Sequence, residues 1–218
     1  MFISLLLVVI VSAAVVVSGF KKQPGIGITF AALVIATSVW INGTGLRSLG
    51  FFAPSDWRMT ILLSIVLGGV IQLASTIFIE PLSDKLTNSV TDHSVFESLR
   101  GNVKNLLIWL LTVWVLVAFL EETIFRGFLM SELANITGKG MPAMVINLIL
   151  SSVIFGLAHW YQGKSGTLST AIIGALMGIL FILSGYNLWL PLLTHGFIDT
   201  VGLTMIYLNL DKKLKKLA

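Results

Sequence analysis

Seven stretches of this chain are apolar over about the length needed to cross a lipid bilayer, and that pattern limits what it can fold into more than any other feature. A spanning α-helix needs roughly 20 mostly apolar residues. The stretches run from Phe2 to Phe20, Ile26 to Ile41, Thr60 to Ile79, Asn105 to Met130, Ala143 to Trp160, Thr167 to Ser184 and Trp189 to Leu208, the second and fifth being short. With 56% of its 218 residues hydrophobic and 11% charged, a soluble domain could not cover its surface with polar groups. The expectation is an all-α fold, a polytopic transmembrane helical bundle of about seven spans, because a helix satisfies its own backbone hydrogen bonds in lipid.

No linker, charge block or internal repeat divides the sequence. Its chemistry separates it into two regions: residues 1–104, with the N-terminal spans and a polar surface connection, and residues 105–218, which carry the unusual polar residues and a basic tail. Met1 to Phe20 reads as a retained anchor rather than a signal peptide, since it has no basic start, its apolar run is long, and Lys21 and Lys22 follow. Cysteine is absent, which excludes disulfides, thiolate metal sites and cysteine nucleophiles. The net charge of +4 gathers in the tail at Lys212, Lys213, Lys215 and Lys216 and fits membrane orientation better than nucleic-acid binding. In a seven-span topology Lys21, Lys22, Lys85, Arg100, Lys104, Lys164 and the four tail lysines share one side, against Arg47, Arg58 and Lys139 opposite. The positive-inside rule then sets the N-terminus outside and the C-terminus in the cytoplasm, with a prokaryotic plasma membrane the expected setting. The connection from Glu80 to Lys104 reads as a surface linker, in which His93 stands alone among ordinary polar residues.

Charge appears where it is expensive. Glu121, Glu122 and Arg126 lie inside LLTVWVLVAFLEETIFRGFLM, and each charged side chain at mid-membrane costs at least about 2.5 kcal/mol. Glu122 and Arg126 are four apart and share a helical face, so they can form an ion pair whose role is structural. Glu121 projects about 100° away around the helix and has no local partner, which makes it the better candidate base. The next span contains FGLAH, with Phe155 and His159 on one face, and the last contains HGFID, with His195 and Asp199 four apart. A single membrane histidine is ordinarily a hydrogen-bonding core residue. Two histidines and two spare carboxylates in neighbouring helices can satisfy one another around trapped water.

A helical ruler tests whether these groups meet. If the fourth and fifth spans form a hairpin turning at Gly138, Lys139 and Gly140, Glu121 lies about 24 Å from the turn and His159 about 26 Å. The two share one level, in the cytoplasmic half because His159 is near Lys164. For ideal, untilted last spans the same ruler leaves His195 about 15 Å too far toward the outside.

The segments EETIFRG (Glu121 to Gly127), FGLAH (Phe155 to His159) and HGFID (His195 to Asp199) resemble the three motifs of the CAAX protease and bacteriocin-processing family, which includes the type II CAAX prenyl endopeptidases and the bacterial Abi proteins. The resemblance covers about Asn105 to Tyr207 and implies an intramembrane endopeptidase. Glu121 would be the general base, His159 its water-binding partner, and His195 with Asp199 the stabilisers of the tetrahedral intermediate. Glu122, Arg126 and Phe155 would support them. The residue types suit the task, since a poorly solvated carboxylate is a good base and an imidazole N–H can donate to an oxyanion. Asp199 departs from the asparagine expected in the prenyl endopeptidases, and an ionised carboxylate cannot donate, so its expected role is to orient or charge His195. No cofactor is the favoured expectation. Zinc is the alternative, with Glu121, His159 and His195 as an adequate ligand set, although the compact HExxH signature is missing.

The partners implied are the lipid bilayer and a membrane-associated or lipidated peptide: prenylated CAAX tails for the eukaryotic relatives, bacteriocins or surface proteins for the bacterial ones. An apolar cavity around the site would suit such a substrate. Two other classes use the same buried polar residues. A transporter or proton relay is disfavoured by the lack of inverted repeats and paired broken helices. In a scaffold or immunity protein these residues would only hold helices together.

Overall fold

In the computed structural model, which describes residues 2–138 and 140–214, each apolar stretch forms a helix and, among those residues, there is no strand. Lys139 of the expected turn and Lys215 and Lys216 of the tail lie outside the described residues. The helices are α1 (Phe2–Phe20), α2 (Pro24–Asn42), α3 (Trp57–Thr87), α4 (Val103–Thr137), α5 (Met141–Ala158), α6 (Gly163–Leu183) and α7 (Trp189–Tyr207), followed by the short α8 (Leu210–Leu214). Six of them are long and apolar enough to cross a membrane, α6 being counted with the turn before it. The seventh, α7, is less apolar because it carries His195, Asp199 and three threonines. Large apolar side chains face outward along the bundle, with Phe2 78% and Trp40 83% exposed. Such a surface is stable only against lipid, and the protein is an integral membrane protein.

Two helices outrun their apolar stretches, and local chemistry explains both. The Asp56 carboxylate caps α3 by accepting the Met59 N–H at 3.0 Å, and the Asn102 side chain caps α4 by accepting the Asn105 N–H at 3.1 Å. A π-helical turn at Ser75–Ile79 loosens α3 just before Pro81, so the ring is accommodated and the helix continues to Thr87. Residues 80–87 are therefore helix rather than surface linker. α4 contains two more such turns, Val113–Ala118 and Thr123–Met130, bracketing Phe119–Glu122.

The core forms where α1, α2 and α5 surround the middle of α4. Val8, Val11 and Val15 make a buried stripe on α1 that meets Ala31 and Ile35 of α2, Phe125, Phe128 and Leu129 of α4 and Phe155 of α5. At one end of the bundle Phe20 packs on Trp160 with ring centroids 4.9 Å apart, the Asp92 N–H donates to the Gln162 carbonyl at 2.9 Å, and Arg100 pairs with Asp211 at 2.8 Å. The connections bearing Lys21, Lys22, Lys85, Arg100, Lys104 and Lys164 are thus gathered with the C-terminal end of α7. Burial alone would raise the Asp211 carboxyl, but the Arg100 hydrogen bond and charge hold it below its usual value.

At the opposite end the turns are not level. Leu188, between α6 and α7, is fully buried, donates its N–H to the Gly50 carbonyl at 3.0 Å and packs with Met130 and Phe181. Asn187 secures the same turn through the Phe52 carbonyl at 2.7 Å. A Cβ on Gly127 would stand 2.7 Å from the Leu49 carbonyl oxygen and 3.4 Å from the Leu188 side chain, so this turn lies beside Gly127. The α4–α5 turn begins ten residues later along α4, about 15 Å farther out.

Candidate active site

Three helix segments bring the polar residues together. α4 supplies Glu121, Glu122 and Arg126 from the region between its two π-helical turns. α5 ends at Ala158, leaving His159 as its C-terminal cap, and α7 supplies His195 and Asp199. Glu122 is 0% and Arg126 1% exposed, the deepest charges among the described residues.

The interior half of the site is a buried network, in which Glu122 Oε2 and Arg126 Nε have no hydrogen-bond partner among the described residues. Arg126 Nη1 donates to Glu122 Oε1 at 2.7 Å, its Nη2 donates to the Gly174 carbonyl at 2.9 Å, and the guanidinium lies 4.6 Å over the Phe155 ring. His195 Nδ1 reaches the same Glu122 Oε1 at 2.7 Å. The carboxylate that hydrogen-bonds His195 is therefore Glu122. Four residues along α7, Asp199 reaches only the other ring nitrogen, Nε2, at 3.6 Å.

The open half is arranged around Glu121. His159 Nδ1 lies 2.8 Å from the Phe155 carbonyl oxygen, which can only accept, so Nδ1 carries a proton and, when the ring is neutral, Nε2 presents a lone pair. That nitrogen stands 3.8 Å from Glu121 Oε1, and His195 Nε2 stands 4.0 Å from Glu121 Oε2. These separations are too long for direct hydrogen bonds and short enough for one bridging water. Glu121 Oε2 is buried and has no hydrogen-bond partner among the described residues.

The displacement expected for His195 is absent, and the staggered turns explain why. From Leu188 to His195 is seven residues, about 10 Å, and from Gly127 back to Glu121 is six, about 9 Å. Because Leu188 sits beside Gly127, both counts end at one level. The ruler erred by treating the α6–α7 turn as level with the α4–α5 turn.

As a zinc set the donor types are suitable, yet among the described residues no three His, Asp or Glu side chains are disposed to hold one ion. A cavity of about 520 Å³ opens between the start of α3 and the α6–α7 turn, lined by Phe52, Asp56, Met59, Leu63, Asn187 and Leu190. Its lining includes none of the motif residues, so it is not the apolar pocket expected around them.

Residues 103–201 match the family model described as type II CAAX prenyl endopeptidase Rce1-like. Over this stretch the chain is similar to the CAAX protease family. The matched segment contains every residue of the cluster, from Glu121 to Asp199. An uncharacterized 24.3 kDa protein of Escherichia coli is 28% identical over 103 residues, 47% of this chain and 46% of that protein. The chain thus spans about half the length of the curated relative it matches. No solved structure matches it.

The matched segment also uses residues that sequence reasoning passed over. Trp114 packs against Gly196 of the third motif, where a Cβ would come within 2.5 Å of the indole, and its Nε1 donates to Thr200 at 3.1 Å. Gly174 acts through a backbone carbonyl, which leaves no sequence signal. Tyr161, two residues beyond His159, places its ring 5.7 Å from the imidazole; its nearness to the motif histidine was the available clue. His93 does not stand alone: its Nε2 lies 3.1 Å from Glu80 Oε2.

Proposed function

We propose that this chain is an intramembrane endopeptidase in which Glu121 and His159 activate a water to hydrolyse a peptide bond. The observation that carries this reading is the 3.8 Å gap between Glu121 Oε1 and a His159 Nε2 whose lone pair is directed by the Phe155 carbonyl. A water in that gap can donate one proton to each partner and present its oxygen lone pair to a scissile carbonyl. Glu121 takes a proton as the water attacks and returns it to the leaving amine as the tetrahedral intermediate collapses. Glu122, anchored by Arg126, holds His195, which as an imidazolium offers an Nε2–H to the oxyanion. Asp199 and Glu121 flank that nitrogen and favour the positive charge. The chemistry read here is proton transfer by the chain's own residues.

The substrate proposed is a membrane-associated peptide, of the prenylated CAAX type suggested by the family. The basic end of the bundle is proposed to face the cytoplasm, with the N-terminus outside. The test uses purified protein in proteoliposomes and a fluorogenic farnesylated CAAX peptide, with its unprenylated form for comparison. Wild type is expected to cleave the farnesylated peptide, and Glu121→Gln and His159→Ala to lower the rate by at least about 100-fold at normal protein levels. Cleavage by both variants at the wild-type rate would reject the reading. A chelator series on the wild type separates the glutamate mechanism, which predicts an unchanged rate, from the zinc alternative.

A further inference from the structure

An acyl-transfer site needs hydrogen-bond donors aimed where negative charge develops, and the inventory of this one is short. The Nδ1 proton of His159 is committed to the Phe155 carbonyl, and His195 Nδ1 faces Glu122. Neither neutral ring then carries an N–H at the Nε2 that faces Glu121, and Glu121 and Asp199 as carboxylates only accept. Arg126 is enclosed by Glu122, Gly174 and Phe155. Unless His159 or His195 is an imidazolium, none of the six motif side chains supplies a donor to the open half.

Tyr161 can. It sits on the tight turn Trp160–Gln162 that follows His159, half-buried, its ring tilted 35° to the imidazole. Its hydroxyl oxygen accepts from Gln162 Nε2 at 3.3 Å. Gln162 is held in turn, because its Oε1 accepts from Thr170 at 3.2 Å and its carbonyl accepts the Asp92 N–H at 2.9 Å. With a donor already on its oxygen, the hydroxyl keeps its own proton to give, and among the described residues it gives it to no acceptor. The Tyr161 ring lies 5.7 Å from that of His159, whose Nε2 is 3.8 Å from Glu121 Oε1, so it borders the open half of the cluster.

We infer that Tyr161 is a catalytic hydrogen-bond donor of this site, its O–H directed to the carbonyl oxygen of the scissile peptide and strengthening as that oxygen becomes an oxyanion. The inference rests on the peptidase reading. A neutral phenol complements an imidazolium there, since it donates whatever the protonation state of His195. Gln162 and Thr170 are its positioning residues.

The test is steady-state cleavage of the farnesylated peptide by wild type, Tyr161→Phe and Glu121→Gln, with inhibition by a farnesylated peptidyl trifluoromethyl ketone, whose hydrate resembles the tetrahedral intermediate. Tyr161→Phe keeps the ring, so its thermal unfolding should match wild type. Expected are a kcat lower by about 100-fold, a KM within about two-fold, and a comparable loss of affinity for the ketone. Wild-type kcat and ketone affinity in Tyr161→Phe, or a change in KM alone, would overturn the inference while leaving the peptidase reading intact. Cleavage by wild type no faster than by Glu121→Gln would overturn both.

Discussion

The residue that organises the buried half of the site is Arg126. Its guanidinium fork reaches Glu122 and the Gly174 carbonyl at once and stacks on Phe155, and through Glu122 it sets the orientation of His195. A lysine offers a point charge instead of a planar fork and would keep only part of this. Removing one member of a buried pair strands the other charge, at a cost of about 3 to 5 kcal/mol. Arg126→Met should therefore lower the melting temperature in detergent sharply, and the double variant Glu122→Gln with Arg126→Met should recover much of that loss, since no charge is left unpaired. The double variant should stay poorly active because His195 has lost its carboxylate. Equal instability of the single and double variants would show that packing, rather than stranded charge, dominates.

At the scale of elements, the alignment of α7 with α4 depends on where one turn is buried. Gly127 lets the Leu49 carbonyl and Leu188 approach α4 directly, and that contact sets the level at which His195 meets Glu121. Gly127→Ala should force the Leu49 backbone and the α6–α7 turn outward, with destabilisation of about 1 to 3 kcal/mol and a loss of cleavage larger than its loss of stability. Gly69→Ala is the matched control: it lies on α3 with nothing within 4 Å of an added Cβ and should be neutral or slightly stabilising. Thermal unfolding and cleavage rates measured on both variants decide the point; equal behaviour of the two would remove Gly127 from the account. The π-helical turns bracketing Glu121 and Glu122 were not legible in the sequence, because an extra residue in a helical turn leaves the apolar run unbroken.

For the whole molecule, the sidedness inferred from charge can be measured directly, since the chain has no cysteine and any introduced one is unique. Ser98 lies in the α3–α4 connection at the basic end, and Ser55 lies before α3 at the other; both are exposed. In intact cells a membrane-impermeant maleimide should label Ser55→Cys, and should label Ser98→Cys only after permeabilisation. The reverse pattern would invert the proposed orientation. The structure itself groups the basic connections at one end of the bundle, which is the arrangement the seven-span count requires.

By itself the sequence determined the helical membrane class, the helices, and the identity of the polar residues that need one another. These follow from local quantities: apolar length against bilayer thickness, four-residue spacing on a helix, and the cost of charge in lipid. The ruler also brought Glu121 and His159 to a common level, because one tight hairpin joins their helices. Only the tertiary structure decided that His195 joins them, that Glu122 rather than Asp199 holds it, and that Tyr161 stands beside them. Each depends on how deeply a turn is buried or which way a ring is held, and those are properties of packing between distant segments that no local spacing records.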